Sequence, residues 1–359
     1  MPDIYQFLEA MFHEGASDLH LTTGSPPQVR VDGKIRALSY AAFSGSDTGE
    51  MATCILNEEQ KKKLEKYHEI DISFGINGLS RFRANIFYQR GAIAMAIRCI
   101  PFIIPSFEEL GLPPIIAELC EKPHGMILVT GPTGSGKSTT LAAMIDRINN
   151  THNKHIITVE DPIEYLYSHG KCIVNQREVH TDTPSFHTAL RSVLREDPDI
   201  ILIGEMRDLE TIEAALTLSE TGHLTLATLH TDSCYQSINR IINVFPPHQQ
   251  NQVRLQLSFV LQGIISQQLI PKKDGIGRVL ALEILIPNAA VRNLIRENQI
   301  HQIYSMIQAG QSKHNMQSMN QSLFDLFLKG KISEESALVR SNFSEELKQW
   351  IQRKENKFY

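Results

Sequence analysis

Cysteine is scarce in this chain, and its few thiols are scattered. The 359 residues include five cysteines, none of them paired as C-x-x-C: Cys54, Cys99, Cys120, Cys172 and Cys234. Such spacing excludes a disulfide-stapled scaffold and gives no support to a structural zinc site. It predicts reduced, mostly buried thiols in a cytoplasmic protein.

Long apolar runs are also missing. Acidic residues interrupt the N-terminal segment at Asp3, Glu9, Glu14 and Asp18, so this segment does not resemble a secretory signal. A membrane-spanning helix needs about 18 or more apolar residues, and the longest candidate run, 255–270, is interrupted by Gln and Ser. We therefore expect that the protein is not embedded in a membrane.

An excess of positive charge is absent as well. The formal net charge is −5, whereas a dedicated nucleic-acid binder usually carries a clustered basic surface. The basic triplet 61–63 is flanked by Glu58, Glu59 and Glu65, which is typical of a solvated helix face. No nucleic-acid partner is expected.

The composition is that of a globular protein with room for about two domains, with 42% hydrophobic and 21% charged residues. Residues 1–100 are predicted to form a small α+β domain rich in antiparallel strands, with tight turns at Asp32-Gly33 and Asn77-Gly78. In the segment 80–86 apolar residues alternate with polar ones, which places Arg81 and Arg83 on one face of a strand.

Prolines then mark residues 101–122 as a linker, with Pro101, Pro105, Pro113 and Pro114 around one short helical stretch. From residue 123 to 359, strands at 126–130, 155–160, 200–203 and 224–228 alternate with helices at 137–149, 186–195 and 209–220. This alternation predicts an α/β domain with a mainly parallel sheet covered by helices on both sides. From His248 onward we predict helix, apart from a strand over 279–286.

The strongest chemical signal is a phosphate-binding loop that fits G-x-x-x-x-G-K-[ST] between a predicted strand and a predicted helix. Backbone N–H groups of such a loop form a concave anion site, which side chains on its glycines would block. Its lysine neutralises the β- and γ-phosphates, and its serine hydroxyl is suited to Mg²⁺. The residues predicted to bind ATP phosphates are Gly131, Pro132, Thr133, Gly134, Ser135, Gly136, Lys137, Ser138 and Thr139.

Two acidic groups follow neighbouring strands of the same predicted sheet. Glu205 ends the apolar segment 199–205, where P-loop ATPases carry a second acidic motif, although Gly204 stands where the usual Asp would be. Glu160, Asp161 and Glu164 follow the strand 155–159. Because ligands bind at the carboxyl ends of strands in α/β sheets, we expect these acids near the γ-phosphate. Glu164 and Glu205 both remain candidates for orienting the attacking water.

Two histidines bracket the next strand. His230 is predicted at its carboxyl end, near the γ-phosphate, where a hydrogen bond could report bound triphosphate. His223 lies at the opposite end and is interpreted as structural or as part of a subunit boundary. No third ligand is spaced to join them in a zinc site.

These motifs resemble the type IV pilus retraction ATPases of the secretion superfamily, the PilT family, in which PilU forms a close paralogous branch. The resemblance covers the phosphate loop 131–138, the aspartate box 160–164, the segment 202–208 with Arg207, and the histidine box 221–231. It extends nearly end to end, and Gly204 in place of Asp is normal for that family. Residues 290–297 resemble the short signature of retraction ATPases, whereas 322–327 and 331–333 look closer to PilU.

The resemblance implies a PAS-like N-terminal domain and a RecA-like ATPase domain, assembled as a homohexamer that hydrolyses ATP with Mg²⁺ to drive pilus retraction and twitching motility. It implies arginine sensors at Arg81, Arg83, Arg98 and Arg207, with Mg²⁺ at Ser138. Expected partners are a pilus platform protein of the bacterial inner membrane and the paralogous retraction ATPase, with the ring on the cytoplasmic face of that membrane.

Alternatives remain open at this point. The chain could be a PilU-type accessory retraction ATPase or another secretion or DNA-translocation ring. A small-molecule kinase would share the phosphate loop but needs an acceptor site and a lid, which residues 205–230 do not resemble.

Overall fold

The structure is a computed structural model that describes residues 3–31, 33–76, 78–100, 103–311 and 315–355. It divides into two compact units, residues 1–103 with 164–166 and residues 104–163 with 167–359. Asp32, Asn77 and Pro101, predicted in two turns and at the start of the linker, lie outside the described residues. Each unit has its own sheet and its own core.

The first unit is an antiparallel sheet with helices. Its strands pair in the order β3-β2-β1-β6-β5-β4. The elements are α1 (Ile4–His13), β1 (Asp18–Leu21), β2 (Gln28–Val31), β3 (Lys34–Ala37), α2 (Gly45–Ile55), α3 (Glu58–Tyr67), β4 (Glu69–Ile76), β5 (Ser80–Gln89) and β6 (Ala92–Ile100).

Period-2 alternation on β5 builds the core of this unit. Phe82, Ala84 and Ile86 are fully buried in the cluster that includes the apolar face of α1, while Arg81 and Arg83 lie on the opposite face of the strand. The predicted alternation is therefore confirmed for this strand.

The second unit carries a seven-stranded sheet in the order β13-β12-β7-β11-β10-β8-β9. Its strands are β7 (Gly125–Thr130), β8 (His155–Glu160), β9 (Ile173–Glu178), β10 (Ile200–Ile203), β11 (Leu224–Leu229), β12 (Leu261–Pro271) and β13 (Arg278–Leu285). Its helices are α4 (Phe107–Leu110), α5 (Pro114–Cys120), α6 (Lys137–Thr151), α7 (Phe186–Val193), α8 (Leu209–Glu220), α9 (Cys234–Asn243), α10 (Pro247–Val260), α11 (Ala289–Arg296), a 3₁₀ turn (Ile300–Gln302), α12 (Ile303–Ala309), α13 (Met319–Leu328), α14 (Glu334–Arg340) and α15 (Ser344–Glu355).

This sheet is mainly parallel and is covered on both faces, as predicted. Among the described strands of this sheet, only β12 and β13 pair antiparallel. Met126 and Leu128 of β7 join one core cluster with α7 to α11, whereas Ile127 and Val129 join another with α5 and α6. Burial on both faces explains why β7 is a continuous apolar run in the sequence.

Much of the segment predicted as a linker is packed structure. Ser106 and Glu109 form a capping box that starts α4, and Gly111 ends it in the left-handed conformation. Buried side chains of α5, among them Ile116 and Leu119, belong to a core of the second unit. From residue 104 onward this segment is therefore part of that unit rather than a free connection.

The helical prediction for the C-terminal third is wrong over residues 261–271. This segment is β12, which runs parallel to β7 and is buried on both faces over most of its length. A strand with two covered faces shows no alternation, and α10 passes into it without an intervening Gly or Pro. The one strand predicted after His248, over 279–286, corresponds to β13.

Candidate nucleotide-binding site

The predicted phosphate loop connects β7 to α6. The strand ends at Thr130, the loop occupies residues 131–136, and α6 begins at Lys137. Gly136 is the N-cap of α6 in the left-handed conformation, with φ 89°. Ser138 and Thr139 lie in the first turn of the helix, and the Ser138 side chain is exposed. The free N–H groups in the first turn of α6 therefore lie next to the phosphate loop.

Lys137 is folded back onto its own loop. Its Nζ donates hydrogen bonds to the carbonyl oxygens of Gly131, at 2.9 Å, and Pro132, at 3.1 Å. Burial lowers the pKa of Lys137, and the nearby negative charge of Glu205 opposes that shift. The loop thus holds a desolvated cation beside a carboxylate.

Glu205 follows β10 at the carboxyl edge of the sheet, with an arginine and a histidine beside its carboxylate. One carboxylate oxygen lies 2.8 Å from Nη2 of Arg207, and the other lies 3.4 Å from Nε2 of His230. Burial raises the pKa of Glu205, but the Arg207 hydrogen bond and the charges of His230, Arg207 and Lys137 outweigh it, so this pKa is lowered. The hydrogen bond to Glu205 correspondingly raises the pKa of Arg207.

The glycine at position 204 has a steric explanation. A Cβ at Gly204 would lie 3.2 Å from the Cα of Glu160 and 3.3 Å from the carbonyl oxygen of Val159 on β8. Thr228 Oγ1 also donates to the Gly204 carbonyl at 2.5 Å, which ties this turn to β11. An aspartate would crowd the neighbouring strand at this point.

The aspartate box separates into different environments. Glu160 ends β8, is buried, and accepts hydrogen bonds from Thr158 Oγ1 at 2.7 Å and Gln176 Nε2 at 3.4 Å. Asp161 is exposed, and its charge contributes to raising the pKa of Arg207. Glu164 groups with the first unit, so its catalytic role stays a prediction.

The two histidines of the histidine box lie at opposite ends of β11. His230 follows the strand next to the phosphate loop, and its Nδ1 is 3.5 Å from Thr133 Oγ1. His223 precedes the strand, where its Nδ1 is 3.0 Å from the Leu218 carbonyl at the end of α8. Because β11 and β7 are parallel, His223 lies about 20 Å from the phosphate loop, which fits the structural interpretation.

Two of the predicted arginine sensors of the first unit, Arg98 and Arg83, lie within ion-pair distance of acidic residues there. Arg98 Nε donates to Asp18 at 2.9 Å, and Arg83 Nη2 lies 4.0 Å from Asp71. Arg81 shares the strand face of Arg83. Their function as sensors stays a prediction.

Two residues next to the loop are not predicted from the sequence. Gln267 of β12 donates to the Ser135 carbonyl oxygen at 2.7 Å, and Arg278 of β13 reaches the Gly134 carbonyl oxygen at 3.4 Å. Neither belongs to a contiguous motif, and only the position of the β12–β13 hairpin beside β7 brings them to the loop.

Nothing in the described part of the chain forms a cluster of three or more His, Cys, Asp or Glu side chains that could hold a metal. Ser138, exposed in the first turn of α6, offers one hydroxyl oxygen, a ligand type that Mg²⁺ takes together with phosphate oxygens and waters. None of the helices within the described ranges has the length and apolar character to span a membrane.

Comparisons with known proteins identify the family of this chain. Residues 106–335 match the family described as Type II/IV secretion system protein. The chain is 50% identical to the type IV pilus retraction ATPase PilT of Pseudomonas aeruginosa, over 96% of this chain and 99% of that protein. It is 40% identical to the ATPase PilU of the same organism, over 96% of this chain and 90% of that protein.

Among solved structures, a pilus retraction motor PilT with bound ADP superimposes with a TM-score of 0.91 at 53% identity, covering 97% of this chain and 100% of that one. The higher identity to PilT than to PilU favours the PilT branch. The chain belongs to the Type II/IV secretion system protein family and, within it, to the nucleotide-binding pilus retraction ATPases of the PilT group.

Proposed function

We propose that this protein is a motor that hydrolyses ATP to ADP and phosphate and uses the energy to retract type IV pili in twitching motility. The observation that carries the proposal is the meeting of Lys137, Glu205 and His230 at the carboxyl ends of three parallel strands. The likeness to the ADP-bound retraction motor supports it.

Phosphate binding is assigned to the loop 131–136 and the first turn of α6. Lys137 Nζ exchanges the carbonyl oxygens of Gly131 and Pro132 for phosphate oxygens, which carry more negative charge. Ser138 would hold Mg²⁺ through its hydroxyl, and the ion would neutralise charge on the phosphate oxygens. The hydroxyl is exposed at the helix start, which fits that function.

Water orientation is assigned to Glu205, with Glu164 as the alternative. The hydrogen bond from Arg207 lowers the pKa of Glu205 and favours its ionised form, and an ionised carboxylate accepts a hydrogen bond from water. His230 contacts both Glu205 and Thr133 of the loop, so its hydrogen bonds change when phosphate occupies the loop. We assign it as the reporter of the bound triphosphate.

The assembly is proposed to be a homohexamer in which Arg81, Arg83, Arg98 and Arg207 sense phosphate charge. The proposed partners are a platform protein of the bacterial inner membrane and the paralogous retraction ATPase. The ring would lie at the cytoplasmic face of that membrane through these partners. The 40% identity to PilU gives weaker support to one second candidate, an accessory retraction ATPase that acts beside the main motor.

Replacement of Lys137 by Ala tests the activity. We expect phosphate release from ATP and Mg²⁺ by the purified protein to fall by a factor on the order of 100 or more. Lys171→Ala, at an exposed lysine of the same unit, is the control and should keep wild-type turnover. Full activity in a folded Lys137→Ala protein would refute the assignment.

The motor function needs a cellular test. A strain that lacks this chain should lose pilus retraction, and the wild-type gene but not the Lys137→Ala gene should restore it. If the Lys137→Ala gene restores retraction only when the paralogous ATPase is present, the accessory function is favoured instead.

A further inference from the structure

Gln267 of β12 touches the phosphate loop at both of its ends. Its backbone oxygen would lie 2.3 Å from a Cβ at Gly131, and its Nε2 would lie 3.2 Å from a Cβ at Gly136. The same Nε2 donates to the Ser135 carbonyl oxygen at 2.7 Å. β12 pairs with β7 up to the level of Thr130, so Gln267 follows directly where β7 becomes the loop.

This amide is buried at an energetic cost. The Gln267 side chain is fully buried, and its Oε1 has no hydrogen-bond partner among the described residues. A buried acceptor without a donor is unfavourable, whereas an apolar side chain of similar size would avoid that penalty. Packing alone therefore does not account for glutamine at this position, and its hydrogen bond to the loop does.

The bond from Gln267 also fixes the orientation of one peptide group. In a trans peptide the C=O and the N–H point in opposite directions. Holding the Ser135 carbonyl toward β12 turns the N–H of Gly136 away from β12. That N–H is one of the donors that precede α6.

We propose that Gln267 is a positioning residue that orients the 135–136 peptide so that the Gly136 N–H donates to a bound nucleotide phosphate. This inference rests on the proposed nucleotide-binding function of the loop. Because Gln267 acts through the loop, its effect falls on nucleotide affinity more than on the rate of the chemical step.

The neighbouring residue provides a matched control. Gln268 is also buried on β12, and its Nε2 donates to the Arg340 carbonyl oxygen at 3.3 Å instead of to the loop. Gln267→Met and Gln268→Met remove the same amide at adjacent positions and keep the side-chain volume nearly constant.

The experiment measures the Kd for ADP, the KM and kcat for ATP, and the unfolding midpoint without nucleotide. Gln267→Met should raise the Kd and the KM about three- to tenfold, the effect of losing one hydrogen bond, with a smaller change in kcat. Gln268→Met should leave the Kd unchanged, and the unfolding midpoint of Gln267→Met should be no lower than that of Gln268→Met.

Wild-type affinity for ADP in Gln267→Met overturns the inference, and so does an equal loss of affinity in Gln268→Met. If Gln267→Met does not fold, Gln267→Asn keeps the amide but is too short to reach Ser135, and it should show the same rise in Kd. If neither variant folds while Gln268→Met does, Gln267 serves stability alone and the inference fails. Absence of ADP binding in the wild-type protein would instead refute the proposed function itself.

Discussion

Arg207 and Glu205 form a close ion pair, with Nη2 of the guanidinium 2.8 Å from Oε2 of the carboxylate. His230 Nε2 lies 3.4 Å from the other oxygen, Oε1. We assign Glu205 to orient the attacking water. Each of its two carboxylate oxygens therefore faces a group that is cationic or can become cationic. Arg207 therefore helps to keep Glu205 ionised.

In the pH–rate profile of ATP hydrolysis, replacement of Arg207 by Ala should move the acid limb to higher pH. Burial alone raises the pKa of Glu205, and Arg207 is among the groups that outweigh burial and lower it. Without Arg207 this pKa rises, so the carboxylate becomes protonated, and unable to orient water, at a higher pH. The measurement is kcat as a function of pH between about pH 4 and 9.

Arg191→Ala, at an exposed arginine on α7, is the control for that experiment and should leave the acid limb in place. An acid limb that does not move in Arg207→Ala would show that Glu205 is not the group that titrates. Glu164 would then become the favoured residue for orienting water.

The phosphate loop could be found from the sequence because its residues are contiguous and its anion site is made by backbone. Gln267 could not be found in the same way. It is 132 positions from Ser135 along the chain and reaches the loop only because β12 lies beside β7. Strand order in a parallel sheet is a long-range property that no local pattern encodes.

The wrong prediction of a helix over residues 261–271 has a related cause. Both faces of β12 are buried, with Leu261 in one core cluster and Ile265 in another, so polar and apolar residues do not alternate. Unlike β7, β12 also lacks a continuous apolar run, because the buried polar residues 266–268 interrupt it. The strand β5, with one open face, was predicted correctly because Arg81 and Arg83 alternate with buried residues. Alternation of polar and apolar residues predicts a strand only when one face is exposed, and a strand with two buried faces is predicted only from a continuous apolar run.

Gly131→Ala should destabilise the ATPase unit more than Gly222→Ala. Both glycines have positive φ, at 141° and 101°, so both variants bear the strain of a conformation that L residues rarely adopt. A Cβ at Gly131 would also meet the Gln267 backbone oxygen at 2.3 Å, whereas a Cβ at Gly222 would have open space. We expect losses of about 2–4 kcal/mol at Gly131 and about 1–2 kcal/mol at Gly222.

Urea unfolding of the two variants provides the measurement for the glycine comparison, with Trp350 fluorescence as the probe because this single tryptophan lies in the second unit. Equal losses in the two variants would show that the loop can move away from β12. The close approach of Gln267 would then have no energetic consequence.

Glu346→Ala should destabilise the C-terminal helices by about 2–4 kcal/mol. The Glu346 carboxylate accepts hydrogen bonds from Tyr304 Oη at 2.6 Å, Gln308 Nε2 at 2.6 Å and Asn320 Nδ2 at 2.7 Å. Burial and the Glu346 hydrogen bond raise the pKa of Tyr304, so the phenol stays a donor at neutral pH. Removing the acid leaves three donors without this acceptor.

Trp350 lies on the same helix as Glu346, and its fluorescence during urea unfolding provides the measurement. Glu345→Ala removes the adjacent carboxylate, which is exposed, and should change the free energy of unfolding by less than about 0.5 kcal/mol. Similar losses at the two positions would show that the hydrogen bonds around Glu346 contribute no more than an exposed charge on this helix.

Asp18→Asn should weaken the first unit at neutral pH and have a smaller effect in acid. Burial raises the pKa of Asp18, but hydrogen bonds from Ser17 and Arg98, and the charge of Arg98, lower it below its ordinary value of 3.8. A depressed carboxyl pKa contributes stability above pH 3.8, and this contribution is lost as pH falls through the lowered value. Because the Arg98 side chain is 70% exposed, the contribution is less than about 1 kcal/mol.

Hydrogen exchange of the β1 and β6 amides, followed from neutral to acid pH, measures this effect in the first unit itself. These strands pair Asp18 directly with Arg98, so weaker binding between their side chains should speed exchange there. Asp71→Asn is the matched control, since Asp71 and Arg83 are 4.0 Å apart and their side chains are 60% and 45% exposed. A difference between Asp18→Asn and wild type that persists unchanged in acid would mean that the carboxylate's charge is not what stabilises the strand pair.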